Sequence, residues 1–534
     1  MGSQPKSDAS DTEIEVGGSY ARYVLFVLVL VFVFNFIDHQ VLSILAEEIK
    51  HDLGISDAQI GFLYGTAFAV FYAVFGIPLG KLADVWVRTR LISVGLAFWS
   101  LMTALSGTAR SLGTLAACRF GVGVGEASAS PAAFSLLSDY FPPRLRATAL
   151  AIYSSGVYIG AGIGVFLGGV IVDAWRAAYP DPTLAPFALK PWQAAFFAVG
   201  LPGLLMAVWV STLREPRRGM SEGLPETAPE PHPFRAAARE LFAVLPPFTL
   251  WVAARRGGRA LLTNCAMALA IAAIVVVLIE LVGTPTQWIA LGIGAYAALS
   301  WTQNLVAQDP VAFAMIFRCA TLRRVAIGFP LIAFVTYGVG FWAPPFMLRV
   351  HGVATSTAGT ILGVSAAVGG LLGVSFGGWL SDRLRGVSIN ARLWVGIGAP
   401  VLALPIGIVF VTTDDVVVAY VASFLFSVVS PMWLGPGAGT VNDLVMPRMR
   451  AMASAFYLLM ISFIGLALGP YSIGQLSDRF VMSGMTSAEA LRHAMLWGLG
   501  VLVIAAVVLA LALRHLPADE RSRLERARAA GEAV

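Results

Sequence analysis

Three charged residues sit inside apolar stretches, where a charge needs a partner, a water-filled cavity or a task. Asp38 lies in the first such stretch, with Asn35 one turn before it. Arg119 and Glu126 lie in the fourth, seven residues apart, so they share a helix face that Ser130 continues. Placing one charge at the centre of a bilayer costs roughly 2.5–3.5 kcal/mol on insertion scales. A carboxylate in low dielectric holds its proton more tightly, and a nearby guanidinium loosens that hold. An arginine that switches between carboxylates and an anionic ligand therefore couples protonation to binding. The competing reading is a static ion pair between Arg119 and Glu126, for which burial offers little stabilising motive. His39 follows Asp38 directly and points to another face. An imidazole titrates near neutral pH, which makes His39 a further candidate for proton transfer.

Around such a centre, Phe134, Tyr153, Tyr158, Tyr337, Trp342, Trp433 and Tyr457 are candidates to line an apolar chamber. Aromatic residues in membrane helices more often serve packing or the interface, so the set matters more than any member. A Walker A loop is missing: only three residues separate Gly76 from Gly80, and Leu82 stands where Ser or Thr is required. That counts against an ATP-driven pump.

The elements that must position these residues are membrane-spanning helices. Of 534 residues, 57% are hydrophobic and 13% are charged, against about 25% charged in soluble chains. Apolar runs of about 20 residues, long enough to span a hydrocarbon core, recur throughout. Six fall within residues 22–213 and six within 325–514. The two sets are related. Gly54, Gly61, Gly65, Gly80, Leu82 and Asp84 return as Gly352, Gly359, Gly363, Gly378, Leu380 and Asp382, each 298 residues further on. Pro143-Arg144-Leu145-Arg146-Ala147 returns as Pro447-Arg448-Met449-Arg450-Ala451, and Gly169 and Asp173 pair with Gly474 and Asp478. Parallel repeats of several helices are a transporter plan, with the substrate site between the halves.

Residues 1–21 read as a disordered polar tail without a signal peptide, and residues 515–534 as a second tail. Residues 214–324 join the halves. Their first part, 215–247, is rich in Pro, Glu and Arg and reads as a linker; apolar runs at about 261–306 predict an inserted transmembrane hairpin turning at residues 283–287. On a plan with both termini on one side, 28 Lys and Arg fall on that side and 7 on the other, which makes it the cytoplasmic side. The net charge of +5 resides in these loops and implies no nucleic acid. The three cysteines read as packing residues rather than a disulfide framework.

The loop from Gly80 to Arg90 carries a candidate gate. Asp84 can cap a helix of the opposite half, and Arg88, Arg90 and Arg146 can complete a charge network at the cytoplasmic mouth. Gly156, Gly160, Gly162, Gly164, Gly168 and Gly169 pave the fifth helix, for close packing more than for a hinge.

At these residues the chain resembles the major facilitator superfamily. The Gly80–Arg90 loop matches that superfamily's cytoplasmic signature, with a weaker copy in Gly378-Trp379-Leu380-Ser381-Asp382-Arg383. Within it, the chain resembles bacterial relatives of the Spinster lipid transporters. The resembling segments are Asn35-Phe36-Ile37-Asp38, Arg119 through Gly121, Gly123, Gly125 and Glu126 to Ser130-Pro131, and Tyr337-Gly338 through Trp342-Ala343-Pro344-Pro345. The resemblance implies an all-α membrane protein of two six-helix bundles related by a pseudo-two-fold axis. It implies a monomer in the bacterial inner membrane that moves a lysophospholipid or sphingosine-phosphate-like amphiphile. The proton gradient would drive it without a cofactor, and Asp38, Arg119 and Glu126 would form the polar centre. Two features depart from the family: His39 stands where it usually has Arg, and the hairpin is not typical of it. A carrier of small organic anions or drugs is the runner-up, and a non-transporting membrane sensor or scaffold is the alternative from another class.

Overall fold

A computed structural model describes residues 15–222 and 230–532, except the side chain of Ala147; most of the expected N-terminal tail and part of the expected linker lie outside the described residues. The first half contributes α1 (Ser19–Leu53), α2 (Asp57–Val85), α3 (Arg88–Ser106), α4 in two pieces (Leu112–Glu126 and Ala129–Tyr140), α5 (Pro143–Ala178) and α6 (Pro191–Ser211). Between the halves come α7 (Pro233–Val244), α8 (Phe248–Arg256), α9 (Gly258–Val282) and α10 (Pro285–Gln308). The second half contributes α11 (Ala320–His351), α12 (Thr355–Arg385), α13 (Ala391–Thr412), α14 (Val416–Asp443), α15 (Pro447–Met482) and α16 (Ser487–Leu513). Twelve of these are long and apolar enough to cross a membrane, α9 among them. The broken α4, with its charges, and α10 are not in that set.

Local sequence explains the helix ends. Ser56 and Gln59 form a reciprocal capping box at the start of α2. Gly54 and its copy Gly352 end α1 and α11 in the left-handed region, at φ 61° and 63°, where a side chain would be strained. One expectation needs correction: the stretch 215–247 is not all linker, because α7 forms within it. Phe234, Leu241 and Val244 make an apolar face there, which the surrounding prolines hide from a compositional reading.

Other repeated residues form the joint between the halves. A Cβ added to Gly61 or Gly65 of α2 would lie 2.6 or 2.3 Å from a carbonyl oxygen of α15. One added to their copies, Gly359 and Gly363 of α12, would lie 2.8 and 2.6 Å from carbonyl oxygens of α5. Asp478 in α15 accepts the N–H groups of Asp57 and Ala58 at 3.0 and 2.8 Å and so caps α2. Its copy, Asp173 in α5, accepts the Ser356 N–H at 2.7 Å and caps α12. Each half therefore caps a helix of the other. On α5 the glycines serve two faces: Gly156, Gly160, Gly164 and Gly168 lie against α1, while Gly162 and Gly169 lie against α12.

Ion pairs lock the same rim. Arg349 of α11 grips both carboxylate oxygens of Asp57 at 2.7 Å and also binds Glu47. Lys50 at 2.6 Å and the Ser477 hydroxyl at 2.7 Å complete the shell of Asp57. At the opposite rim, among the described residues, ion pairs stay within a half or tie it to the connecting segment and the C-terminal helices. Arg88 pairs with Asp139 and Glu215, Arg385 with Asp443 and Glu520, and Arg448 with Asp309 and Glu532. The Asp57 rim is thus bridged across the halves, and the Asp84 rim is not.

Removing a cap costs about 1 kcal/mol, roughly fivefold in a two-state ratio. Asp478→Ala should therefore enlarge the population with a wider Asp57 rim, read as spin-label distances between α2 and α15. An unchanged distribution would reduce the cap to a local helix stop.

Candidate functional site

α1 presents Asn35, Asp38 and His39 to the interior, at 7%, 1% and 5% exposure, and α4 presents Arg119 and Glu126, at 0% and 1%. α4 breaks directly after Glu126, where Ser128 packs tightly on Gly95 of α3. The Arg119–Glu126 ion pair offered by sequence spacing does not form. No Arg119 nitrogen approaches a carboxylate oxygen within 4.0 Å among the described residues. Instead one terminal nitrogen donates to the Asp38 carbonyl oxygen at 3.3 Å, and the other to His39 Nδ1 at 3.2 Å. A guanidinium only donates, so Nδ1 accepts and the neutral ring keeps its proton on Nε2. That Nε2 is buried and without a partner. The His39 ring lies 4.4 Å from that of Tyr64 and 4.6 Å from that of Phe68.

The carboxylates are equally unsatisfied. Both Asp38 oxygens, Glu126 Oε1 and Arg119 Nε lack a hydrogen-bond partner. Thr103 and Trp99 of α3 stand near Asp38, and Asn35 near Glu126, while Asp38, Glu126 and Arg119 lie within electrostatic reach of each other. Buried polar groups are almost always paired, and a half-satisfied network in low dielectric is costly. This cluster costs stability rather than supplying it. Trp99 and Thr103 were not singled out in the sequence; a Trp and a Thr in an apolar helix read as packing.

The aromatic candidates divide. Ser130 lies near Tyr72 and Tyr153. Tyr153 stacks on Phe32 at 4.5 Å and meets Phe134 at 5.5 Å. Tyr337 stands within reach of Tyr64, Tyr72, Tyr158 and Tyr457. Trp433 stacks on Phe329 and, like Tyr457, keeps a buried polar atom unpartnered. Trp342 belongs elsewhere: its indole donates to the Pro470 carbonyl at 2.8 Å and lies under Arg349, in the Asp57 rim.

The gate residues do not form one network in this conformation. Asp84 and Arg90 are exposed and Gly80 faces open space. Arg88 is turned into its own half towards Asp139 and Glu215, and Arg146 binds Glu222 and Ser221. The helix caps that cross between halves are those of Asp173 and Asp478, at the other rim. Their echo in the sequence was visible, but an echo does not name a partner.

The hairpin adds contacts that sequence reasoning missed. Gln287 at its tip accepts from the Thr66 hydroxyl of α2 at 2.7 Å, and Thr284 donates to Gln475 of α15 at 3.0 Å. Further along, Gly294 of α10 packs against Phe463 of α15 and Val70 of α2. Gly373-Val374-Ser375-Phe376-Gly377 spells the GxSxG of serine hydrolases, but it lies within helix rather than on a strand-to-helix elbow. Among the described residues no three His, Cys, Asp or Glu side chains gather to hold a metal.

Two pseudo-symmetric helical halves with charges buried in the first define a multi-pass membrane transporter, not an enzyme. The Major Facilitator Superfamily profile matches residues 28–300 and 241–470, and the chain belongs to that superfamily. It is similar to an MFS-type efflux pump of Mycolicibacterium smegmatis, 25% identical over 93% of this chain and 92% of the pump. It is also similar to protein spinster homolog 1 of Homo sapiens, 26% identical over 87% of this chain and 74% of that protein. The crystal structure of a bacterial homolog to the human lysosomal transporter Spinster, inward-facing and unoccupied, superposes with a TM-score of 0.71 at 27% identity, over 94% of this chain and 98% of that one.

Proposed function

We propose that this chain is a proton-coupled secondary transporter that moves a single-tailed anionic lipid, of the lysophospholipid or sphingosine-phosphate kind, by alternating access. It acts as a monomer in the bacterial inner membrane with both termini in the cytoplasm. The observation that carries this reading is that Asp38, Arg119 and Glu126 are buried together without an ion pair. A closed pair would hold its charges in place; an open set exchanges them. Asp38 and Glu126 take up the proton. Arg119, held by a backbone carbonyl and a neutral imidazole, swings to the anionic head group. His39 releases Arg119 when it is protonated, because two cations repel. The aromatic cluster around Tyr337 receives the tail. The excess of Lys and Arg beside the termini turns the Asp84 rim towards the cytoplasm, so the conformation with a bridged Asp57 rim is inward-facing.

The efflux-pump relative favours a second reading, export of amphipathic drugs or small organic anions, in which Arg119 holds a carboxylate. Proteoliposomes given a pH jump separate the two. Flux of a lysophospholipid that a protonophore stops supports the lipid; flux of drugs alone supports export of drugs. No flux of either leaves a sensor or scaffold.

A further inference from the structure

The segment between the halves carries a surface that this transport cycle does not use. α7 and α8 form an elbow, bent by 89°, beside the Asp84 rim. Its inner side is packed. Val244 is buried with Val70 and Val74 of α2 and Ala297 of α10. The Thr249 and Tyr296 hydroxyls are 2.7 Å apart, and the Phe234 ring, although 60% exposed, lies 5.1 Å from that of Trp86.

Its outer side is bare. Phe242 and Phe248 contact each other at 4.7 Å, yet each is 43% exposed, and Trp251 is 66% exposed. The same segment carries Arg235 and Arg239 on α7, Arg255 and Arg256 at the end of α8 and Arg259 at the start of α9, all exposed and none in an ion pair among the described residues. Arg255 lies over the Trp251 ring at 5.3 Å. Against these five arginines, Glu240 is the single acidic residue in positions 233–259. On a helical projection of α7, Arg235 and Arg239 border Phe242, which puts charge at the edge of the apolar face.

Bare aromatic rings edged by unneutralised arginines, next to membrane-spanning helices, match one environment: the head-group level of an anionic leaflet. We propose that the α7–α8 elbow is a docking platform for anionic phospholipid head groups on the Asp84 side of the membrane. Phe242, Phe248 and Trp251 sit at the acyl boundary, and the five arginines bind phosphates. Because α7 is packed on α2, lipid held there also fixes the Asp84 end of α2, the end that must move if the halves exchange conformations.

The test uses the full chain in neutral detergent, titrated with phosphatidylglycerol or phosphatidylcholine while the thermal midpoint is followed. Phosphatidylglycerol should stabilise the wild type at concentrations at least about tenfold lower than phosphatidylcholine does, and that preference should fade from low to high salt. The variant carrying Arg235→Gln, Arg239→Gln, Arg255→Gln, Arg256→Gln and Arg259→Gln should lose the preference while keeping its lipid-free midpoint, since these side chains hold no protein ion pair. Equal stabilisation of the wild type by both lipids, or a preference insensitive to salt, overturns the proposal without any variant. A variant that keeps the preference overturns it as well.

Discussion

Glu126→Gln and Asp38→Asn are each expected to lower pH-gradient-driven flux by about a hundredfold while leaving the protein folded. That factor corresponds to about 2.7 kcal/mol of driving force lost. Folding should survive because each change replaces a charge by a neutral group of the same shape, in a setting where the charge is expensive. Neither carboxylate is bound to Arg119, so neither change breaks an ion pair. Proteoliposomes with and without a pH gradient provide the measurement. Exchange of substrate at equal pH should persist in both variants, since it needs no net proton movement. Wild-type gradient-driven flux in either variant removes that residue from the coupling.

Arg119→Ala should lose at least about tenfold in affinity for a lysophospholipid, the loss of a charge-assisted contact worth about 1.5–3 kcal/mol. Arg119→Lys should recover part of it, because an ammonium keeps the charge but not the planar fork. An uncharged monoacylglycerol is the control, and its binding should be the same in all three proteins. Equal lysophospholipid affinity in wild type and Arg119→Ala would end the anchoring role. The alanine variant also leaves His39 Nδ1 without its donor, so the lysine variant separates a head-group contact from a local rearrangement.

Much of the fold was legible, and the reason is symmetry. A glycine that ends α1 and returns to end α11, and glycines that seat α2 on α15 and return to seat α12 on α5, leave a mark at a constant offset. Charges inside apolar runs pointed just as openly to the residues that are buried together. What the sequence withheld was which groups meet. Seven-residue spacing suggested Arg119 with Glu126, yet the guanidinium bonds to α1, because the packing of α1 against α4 is a tertiary fact that helical periodicity does not contain. Asp84 was expected to cap across the halves. That geometry occurs at the other rim, through Asp173 and Asp478, and the residue types at the two rims do not mark which of them is bridged. Trp342 looked like chamber lining because an aromatic residue in a membrane helix does not reveal which neighbour its N–H will find.

The inserted hairpin gives the molecule a blind flank. Its tip holds Thr66 of one half and Gln475 of the other, and its shaft lies over the α2–α15 seam as far as Phe463. The matching seam on the far flank, between α5 and α12, is closed by direct helix contact down to Tyr158 and Gly370. Beyond those two residues, no side-chain bond joins residues 143–157 of α5 to residues 371–385 of α12 among the described residues. The internal two-fold axis would make the flanks equal, and the hairpin removes that equality. One seam between the halves is therefore strapped by a third element that bonds to both of them, and the other is held by the two helices alone.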